Sequence, residues 1–157
     1  MTMCNPIEAE GIIPHRMGEK ERTLVLIKPD GVRRKLVGEV IKRLEARELT
    51  IVGLKLLHPE RELVETHYAE HREKPFFGHL VNYLTSGAVV ALAVEGENAI
   101  QAVRIMIGAT NPAEAAAGTI RGDFALTIEE NIVHGSADRA SAEKELAIWF
   151  SDEELIY

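Results

Sequence analysis

Asn131-Ile132-Val133-His134-Gly135-Ser136 is the stretch on which the reading of this chain turns. It follows an alternating run, Phe124, Leu126 and Ile128, that reads as a strand, and it leads into a Gly-Ser turn. A histidine is therefore expected at the mouth of a strand. Neutral imidazole, with an ordinary pKa of about 6.5, offers one nitrogen lone pair near neutral pH and suits nucleophilic work. Glu145, in an expected helix further on, is placed to hold the other ring nitrogen. A turn histidine that only caps or packs fits the same spacing, so the surrounding chain has to decide.

The 157 residues are enough for one domain with a sizeable core and few for two. Apolar residues make up 46% and charged residues 27%, the balance of an ordinary globular protein. A net charge of −7 argues against general nucleic-acid affinity, which needs a basic face, but leaves room for a small anion held by a few local cations. The single cysteine, Cys4, cannot form an internal disulfide and fits a reducing, cytoplasmic setting. Apolar runs such as Ala88–Val94 are far below membrane-spanning length. Residues 1–20 have no apolar periodicity and no signal-peptide layout, and are expected to form a disordered extension to a single domain over 21–157.

Within that domain, Thr23–Ile27 reads as a buried strand closed by a Lys28-Pro29-Asp30-Gly31 turn. Val37, Val40, Ile41 and Leu44 recur at helical spacing. Ile51–Leu57 is a second strand, and Glu60–His71 and Phe76–Leu84 are two helices split at Pro75. Ala88–Val94 is a third strand and Asn98–Ile107 a largely buried helix. Gly108–Asp123 is a long connection, a common home for functional residues. The expected fourth strand is Phe124–Ile128, followed by a helix over Ser141–Phe150 and a Ser151-x-x-Glu154 capping box. This order fits both a parallel sheet with crossover helices and a split βαβ arrangement.

No G-x-x-x-x-G-K-S/T or G-x-G-x-x-G run is present, so side chains must hold any phosphate. Lys28 at a strand end, Arg104 before the long connection, Thr110 within it and Arg121 near its close are the candidates. Each taken alone also fits a solvated surface position. A competing motif, His67-Tyr68-Ala69-Glu70-His71, matches the inverted zinc-peptidase pattern H-x-x-E-H on an expected helix. It lacks an evident third ligand, and a polar helix face explains the same residues.

Taken together, these stretches resemble the nucleoside diphosphate kinase family. The signature is similar to Asn-(Ile/Val)-(Ile/Val)-His-Gly-Ser, and supporting blocks fall in order: Ile-Lys-Pro-Asp-Gly-Val at 27–32, Leu-Val-Gly-Glu at 36–39, His-Tyr at 67–68, Lys-Pro-Phe-Phe at 74–77, Gly-Ala-Thr-Asn-Pro-Ala at 108–113 and Gly-Thr-Ile-Arg-Gly-Asp-Phe at 118–124. The resemblance spans nearly everything after the first twenty residues.

It implies an α+β fold, a ferredoxin-like split βαβ sandwich with a four-stranded antiparallel sheet and covering helices. It implies transfer of the γ-phosphoryl group of a nucleoside triphosphate to a nucleoside diphosphate by a ping-pong route through a phosphohistidine. By resemblance His134 is the nucleophile, Glu145 orients it, and Ser136 and Tyr68 hydrogen-bond nearby. Arg104, Thr110 and Arg121 would bind phosphates, Lys28 and Asn131 sugar hydroxyl and phosphate, and Phe76 would stack on the base between Leu80 and Ile128. Mg2+ would arrive on the nucleotide phosphates with no direct protein ligand, and ribo- and deoxynucleotides would both serve. Homohexamers or homotetramers are the family habit, the short stretch after Phe150 leaving the choice open. One departure is local: Ala137 stands where relatives often carry aspartate, with Asp138 after it. A catalytically silent, nucleotide-binding scaffold is the alternative that a retained residue set speaks against.

Overall fold

Leu24-Val25-Leu26-Ile27 shows no polar alternation, and the computed structural model, which describes residues 20–156, gives the reason. The run lies in β1 (Lys20–Ile27), an interior strand of a sheet covered on both faces, so successive side chains point into two different cores. β2 (Thr50–Leu57), β3 (Val89–Glu97) and β4 (Val133–Gly135) complete a four-stranded sheet in the order β2-β3-β1-β4, with all neighbours antiparallel. β1 and β2 are thus separated in space by β3, and β3 and β4 by β1, while β2 and β3 pair directly, the split βαβ plan that the resemblance implied.

The helices are α1 (Pro29–Arg33), α2 (Val37–Ala46), α3 (Arg61–His67), α4 (Phe77–Leu84), α5 (Ala99–Ile107), α6 (Ile120–Phe124) and α7 (Arg139–Trp149). Val25 and Ile27 share one core with Val40 and Leu44 of α2 and with Val103 and Ile107 of α5. Leu24 and Leu26 share the other with Val64 of α3, Val81 and Leu84 of α4 and Trp149 of α7. The paired helical residues are three or four apart, the spacing that keeps side chains on one face. β2 bends at an irregularity between Ile51 and Gly53. There a Cβ on Gly53 would lie 2.8 Å from Leu155 and 3.1 Å from Phe150, so the chain end packs where only glycine leaves room.

Several expectations change. Phe124–Ile128 is not the fourth strand: Thr119 caps Gly122 N–H at 3.0 Å and starts α6, which runs to Phe124. Leu126 and Ile128, at 90% and 53% exposure, bury no face that pairing would require. The strand is Val133–Gly135 instead, so His134 stands inside it, not at its mouth. The expected turn at 28–31 is the short helix α1, with Pro29 at its first position, where a missing N–H costs nothing. The helix expected over 60–71 stops at His67, and Ala69–His71 forms a separate 3-10 turn. The tail expected over residues 1–20 lies outside the described residues up to position 19, and β1 begins at Lys20.

Candidate functional site

β4 has only three residues, and all pair with β1: Val133 with Ile27, His134 with Leu26, Gly135 with Val25. Directly opposed residues share a face, so His134 points to the side of Leu26, toward α3 and α7. There its Nε2 lies 2.6 Å from Glu145 Oε1, which also accepts the Ser136 hydroxyl at 2.8 Å. Ser136 Oγ in turn accepts Leu24 N–H at 3.3 Å, tying the pair to the central strand. Burial pushes the Glu145 carboxyl up, but the His134 hydrogen bond and charge, with Ser136, hold it net below the ordinary carboxylate range. An ionised Glu145 makes Nε2 the protonated nitrogen of His134 and leaves the lone pair on Nδ1.

His134 and Glu145 line a cavity of about 420 Å³. Its far wall is cationic. Lys28 Nζ donates to Asn131 Oδ1 at 2.9 Å, and Asn131 Nδ2 to the Thr110 carbonyl at 3.0 Å, so a buried amide joins strand end to loop. Burial, and then the Arg121 charge, lower the Lys28 ammonium to about 8 against a partial offset from Asp30. Arg121 is 8% exposed and donates to the carbonyls of Gly108 (3.0 Å), Val133 (2.7 Å) and Asn131 (3.3 Å). Two of its five N–H groups remain for a ligand. Burial, then Arg104, bring its guanidinium down to about 10. Arg104 is exposed, lines the cavity and makes no ion pair among the described residues.

Tyr68, which follows α3 as its C-cap, lines the same cavity. Burial, then the Glu145 charge, raise its phenol to about 12, so it serves as a proton donor in hydrogen bonds near neutral pH. Thr110, Leu80 and Ile128 line the cavity too. Phe76 does not; it is 46% exposed, and its ring centroid is 5.5 Å from that of His71, which does line it. Eleven of the twelve residues singled out from sequence are thus brought to one cavity or its immediate support, and Phe76 stands one ring outside. Ala137 lines the wall without a carboxylate, and Asp138 caps α7 by accepting Ser141 N–H at 2.8 Å.

Three residues, His67, Trp149 and Asp30, take parts here that the sequence does not announce, His67 having stood there only in the zinc motif. His67 packs edge-on to His134 with centroids 4.9 Å apart, and its Nδ1 accepts the Trp149 indole N–H at 3.1 Å. Burial first, then the charge of His134, push His67 down to about 3, so it stays a neutral wall. Nothing in the spacing of positions 67, 134 and 149 announces this contact. Asp30, 1% exposed, reads in sequence as a turn residue and proves to be a core carboxylate. The zinc reading fails on the same geometry. His67 ends α3 while Glu70 and His71 belong to another turn, so no common helical face forms. Among the described residues, the potential metal-ligand cluster is His67, His134 and Glu145, of which His134 and Glu145 are hydrogen-bonded to each other and His67 Nδ1 is taken by Trp149.

Residues 21–155 match the nucleoside diphosphate kinase family. A nucleoside diphosphate kinase of Archaeoglobus fulgidus is 62% identical over 136 residues, covering 87% of this chain and 90% of its own. A cytosolic nucleoside diphosphate kinase of Dictyostelium discoideum is 53% identical over 137 residues, 87% of this chain and 88% of its own. Among solved structures, a halophilic nucleoside diphosphate kinase of Halobacterium salinarum in complex with CDP superposes with a TM-score of 0.86 at 46% identity, covering 88% of this chain and 93% of that one.

Proposed function

The chain belongs to the nucleoside diphosphate kinase family, and on that premise we propose that it moves the γ-phosphoryl group of a nucleoside triphosphate to a nucleoside diphosphate through a phosphohistidine on His134. The observation that carries the residue assignment is the 2.6 Å contact between His134 Nε2 and Glu145, which fixes the proton on one nitrogen and turns the other to the cavity. As Nδ1 forms its bond to the γ-phosphorus, the bond from phosphorus to the bridging oxygen of the diphosphate breaks. The leaving diphosphate takes the electron pair, and Lys28, Arg104 and Arg121 face the oxygens on which charge gathers. Positive charge arising on the imidazole is met by Glu145 through Nε2–H. A second diphosphate entering the same site reverses these steps, so the two half-reactions share one set of residues.

Tyr68 and Thr110 supply further donors, Asn131 holds Lys28 in place, and Ser136 steadies Glu145. Phe76 and Ile128, exposed, with the half-buried Leu80 offer an apolar platform for a base, and stacking of that kind accepts any base. The donor set fits a magnesium ion carried by the nucleotide. Glu145 is engaged with His134 and Ser136, and Glu70, the other carboxylate of the lining, sits 3.7 Å from Lys144. Lys28, Arg104 and Arg121 would hold the phosphates that carry the ion, with water as its remaining ligands. When bound, magnesium neutralises charge shared between the phosphates.

A single domain from residue 21 onward is supported by the extent of the family match and the one sheet. A cytoplasmic setting is consistent with the lone cysteine; no helix among the described residues is long and apolar enough to cross a membrane. Assembly into hexamers or tetramers is supported by the edge strand β2, which leaves Leu54 and Leu56 at 56% and 67% exposure. Initial rates at varied ATP and dGDP test the mechanism: double-reciprocal lines are expected to be parallel, and His134→Asn to abolish transfer. Intersecting lines would contradict a covalent intermediate.

A further inference from the structure

Ile132, two residues before the nucleophile, has a φ of +73°, a left-handed value that a β-branched residue rarely adopts. Val133 N–H donates to the Asn131 carbonyl at 2.8 Å, closing a three-residue γ-turn around it. A conformation of this kind is strained and persists only where its surroundings hold it. Here they do so from every side. Lys28 N–H donates to the Ile132 carbonyl at 2.7 Å, and Arg121 grips the carbonyls on either side of it. A Cβ on Gly31 would lie 3.0 Å from Ile132 Cγ2 and 3.1 Å from its carbonyl oxygen, so α1 presses against the turn where only glycine fits.

One contact in this cage comes from a side chain given no part in the mechanism. The N–H of Ile132 donates to Asp30 Oδ2 at 3.0 Å, deep in the core. The other oxygen, Oδ1, accepts the Tyr83 hydroxyl, and Tyr83 Oη accepts Asp30's own N–H at 3.2 Å. Burial first, then the Asp30 hydrogen bond, push the Tyr83 phenol upward, so it remains a donor throughout the neutral range. A buried carboxylate is costly unless its oxygens are used, and here both are. An apolar residue would serve packing alone.

We propose that Asp30, braced by Tyr83, is a positioning residue for phosphoryl transfer: it pins the γ-turn at Ile132 and thereby sets where His134 presents its nucleophilic nitrogen. The inference rests on His134 being the phosphoryl acceptor. β4 pairs through three residues only, too short a ladder to fix its own entry angle, so the turn supplies the reference point. Asp30 does not itself line the cavity, and its hydrogen bond toward His134 is made to the backbone N–H of Ile132.

The test is the rate of phosphoryl transfer from ATP to His134 in a single turnover, with steady-state kcat and KM alongside. Displacing a reacting group by about 1 Å can slow a reaction about 100-fold, so Asp30→Ala is expected to lower kcat by at least about tenfold with KM changed less than about threefold. Asp30→Asn, whose amide can accept from Ile132 and donate to Tyr83, is expected to restore the rate to within about fivefold of wild type. Gly31→Ala, whose added Cβ would crowd Ile132 directly, should mimic Asp30→Ala. A folded Asp30→Ala protein with kcat within twofold of wild type overturns the inference, as does an Asp30→Asn protein as slow as the alanine variant. If Asp30→Ala does not fold, Tyr83→Phe decides: a threefold or greater fall in kcat at constant KM supports the role, and an unchanged kcat refutes it. Wild-type protein that takes no phosphoryl group at all would refute the function instead, leaving the two failures distinguishable.

Discussion

Replacing Lys28 with methionine should make this protein more stable while disabling it. The ammonium sits among buried groups beside Arg121, and burial with that charge takes its pKa from 10.5 to about 8. In the unfolded chain the lysine keeps its ordinary value, so at pH 7 folding must bring an unwilling charge into place. A shift of that size corresponds to about 3 kcal/mol, at 1.36 kcal/mol per pH unit. Methionine fills similar volume without the charge but gives up the 2.9 Å bond to Asn131, a loss of about 1 kcal/mol. Water at the cavity side already relieves part of the penalty, which leaves a net gain of about 1–2 kcal/mol, or roughly 3–6 °C in melting temperature for a chain of this size.

The sign with pH is distinctive. A lysine with a depressed folded pKa penalises the native state fully below about 8, and the penalty disappears as pH rises from about 8 toward 10.5. The advantage of Lys28→Met should therefore be largest at pH 7 and close by about pH 10, while kcat/KM falls by at least about 100-fold through loss of a phosphate contact. Thermal melts by circular dichroism at pH 7, 8.5 and 10, beside a coupled assay, measure both. A folded variant that melts below wild type at pH 7, with a gap indifferent to pH, would refute the account of this lysine.

Other outcomes follow from single contacts. Phe76→Ala should raise nucleotide KM by about 10- to 100-fold with kcat within about twofold, the mark of lost stacking; a fall in kcat at constant KM would count against the platform. Thr23 Oγ1 is buried with no hydrogen-bond partner among the described residues, so Thr23→Val should be neutral or stabilising by up to about 1 kcal/mol in urea unfolding. Trp149→Phe removes the donor that holds His67 and should lower stability by about 1–2 kcal/mol, with a changed His67 tautomer in nitrogen-15 NMR. Dialysis against EDTA should abolish transfer and added magnesium alone should restore it, whereas a requirement for stoichiometric zinc would revive the peptidase motif.

How much of this was legible beforehand depended on what each residue does with its neighbours. The strands of the core were visible because Leu24–Ile27 and Val89–Val94 carry unbroken apolar runs, and α2 and α5 because Val40/Leu44 and Val103/Ile107 repeat at helical spacing. The fourth strand was misplaced because Phe124, Leu126 and Ile128 alternate in sequence, yet the helix cap at Thr119 wins locally and no partner buries the other two. Parallel and antiparallel connection could not be told apart by pattern, since both begin with the same order of elements; the family blocks separated them. The cavity's charged residues were readable as motif positions. Asp30, His67 and Trp149 were not, because their partners lie 53 to 102 residues away and long-range hydrogen bonds leave no spacing in the chain.

The most direct test of the whole account is intact mass spectrometry of the full chain after brief exposure to ATP and magnesium. One acid-labile phosphoryl group per chain should appear, vanish on addition of GDP with formation of GTP, and be absent from His134→Asn. Protein that binds ATP yet gains no mass, or a His134→Asn variant that still takes up the group, would contradict it.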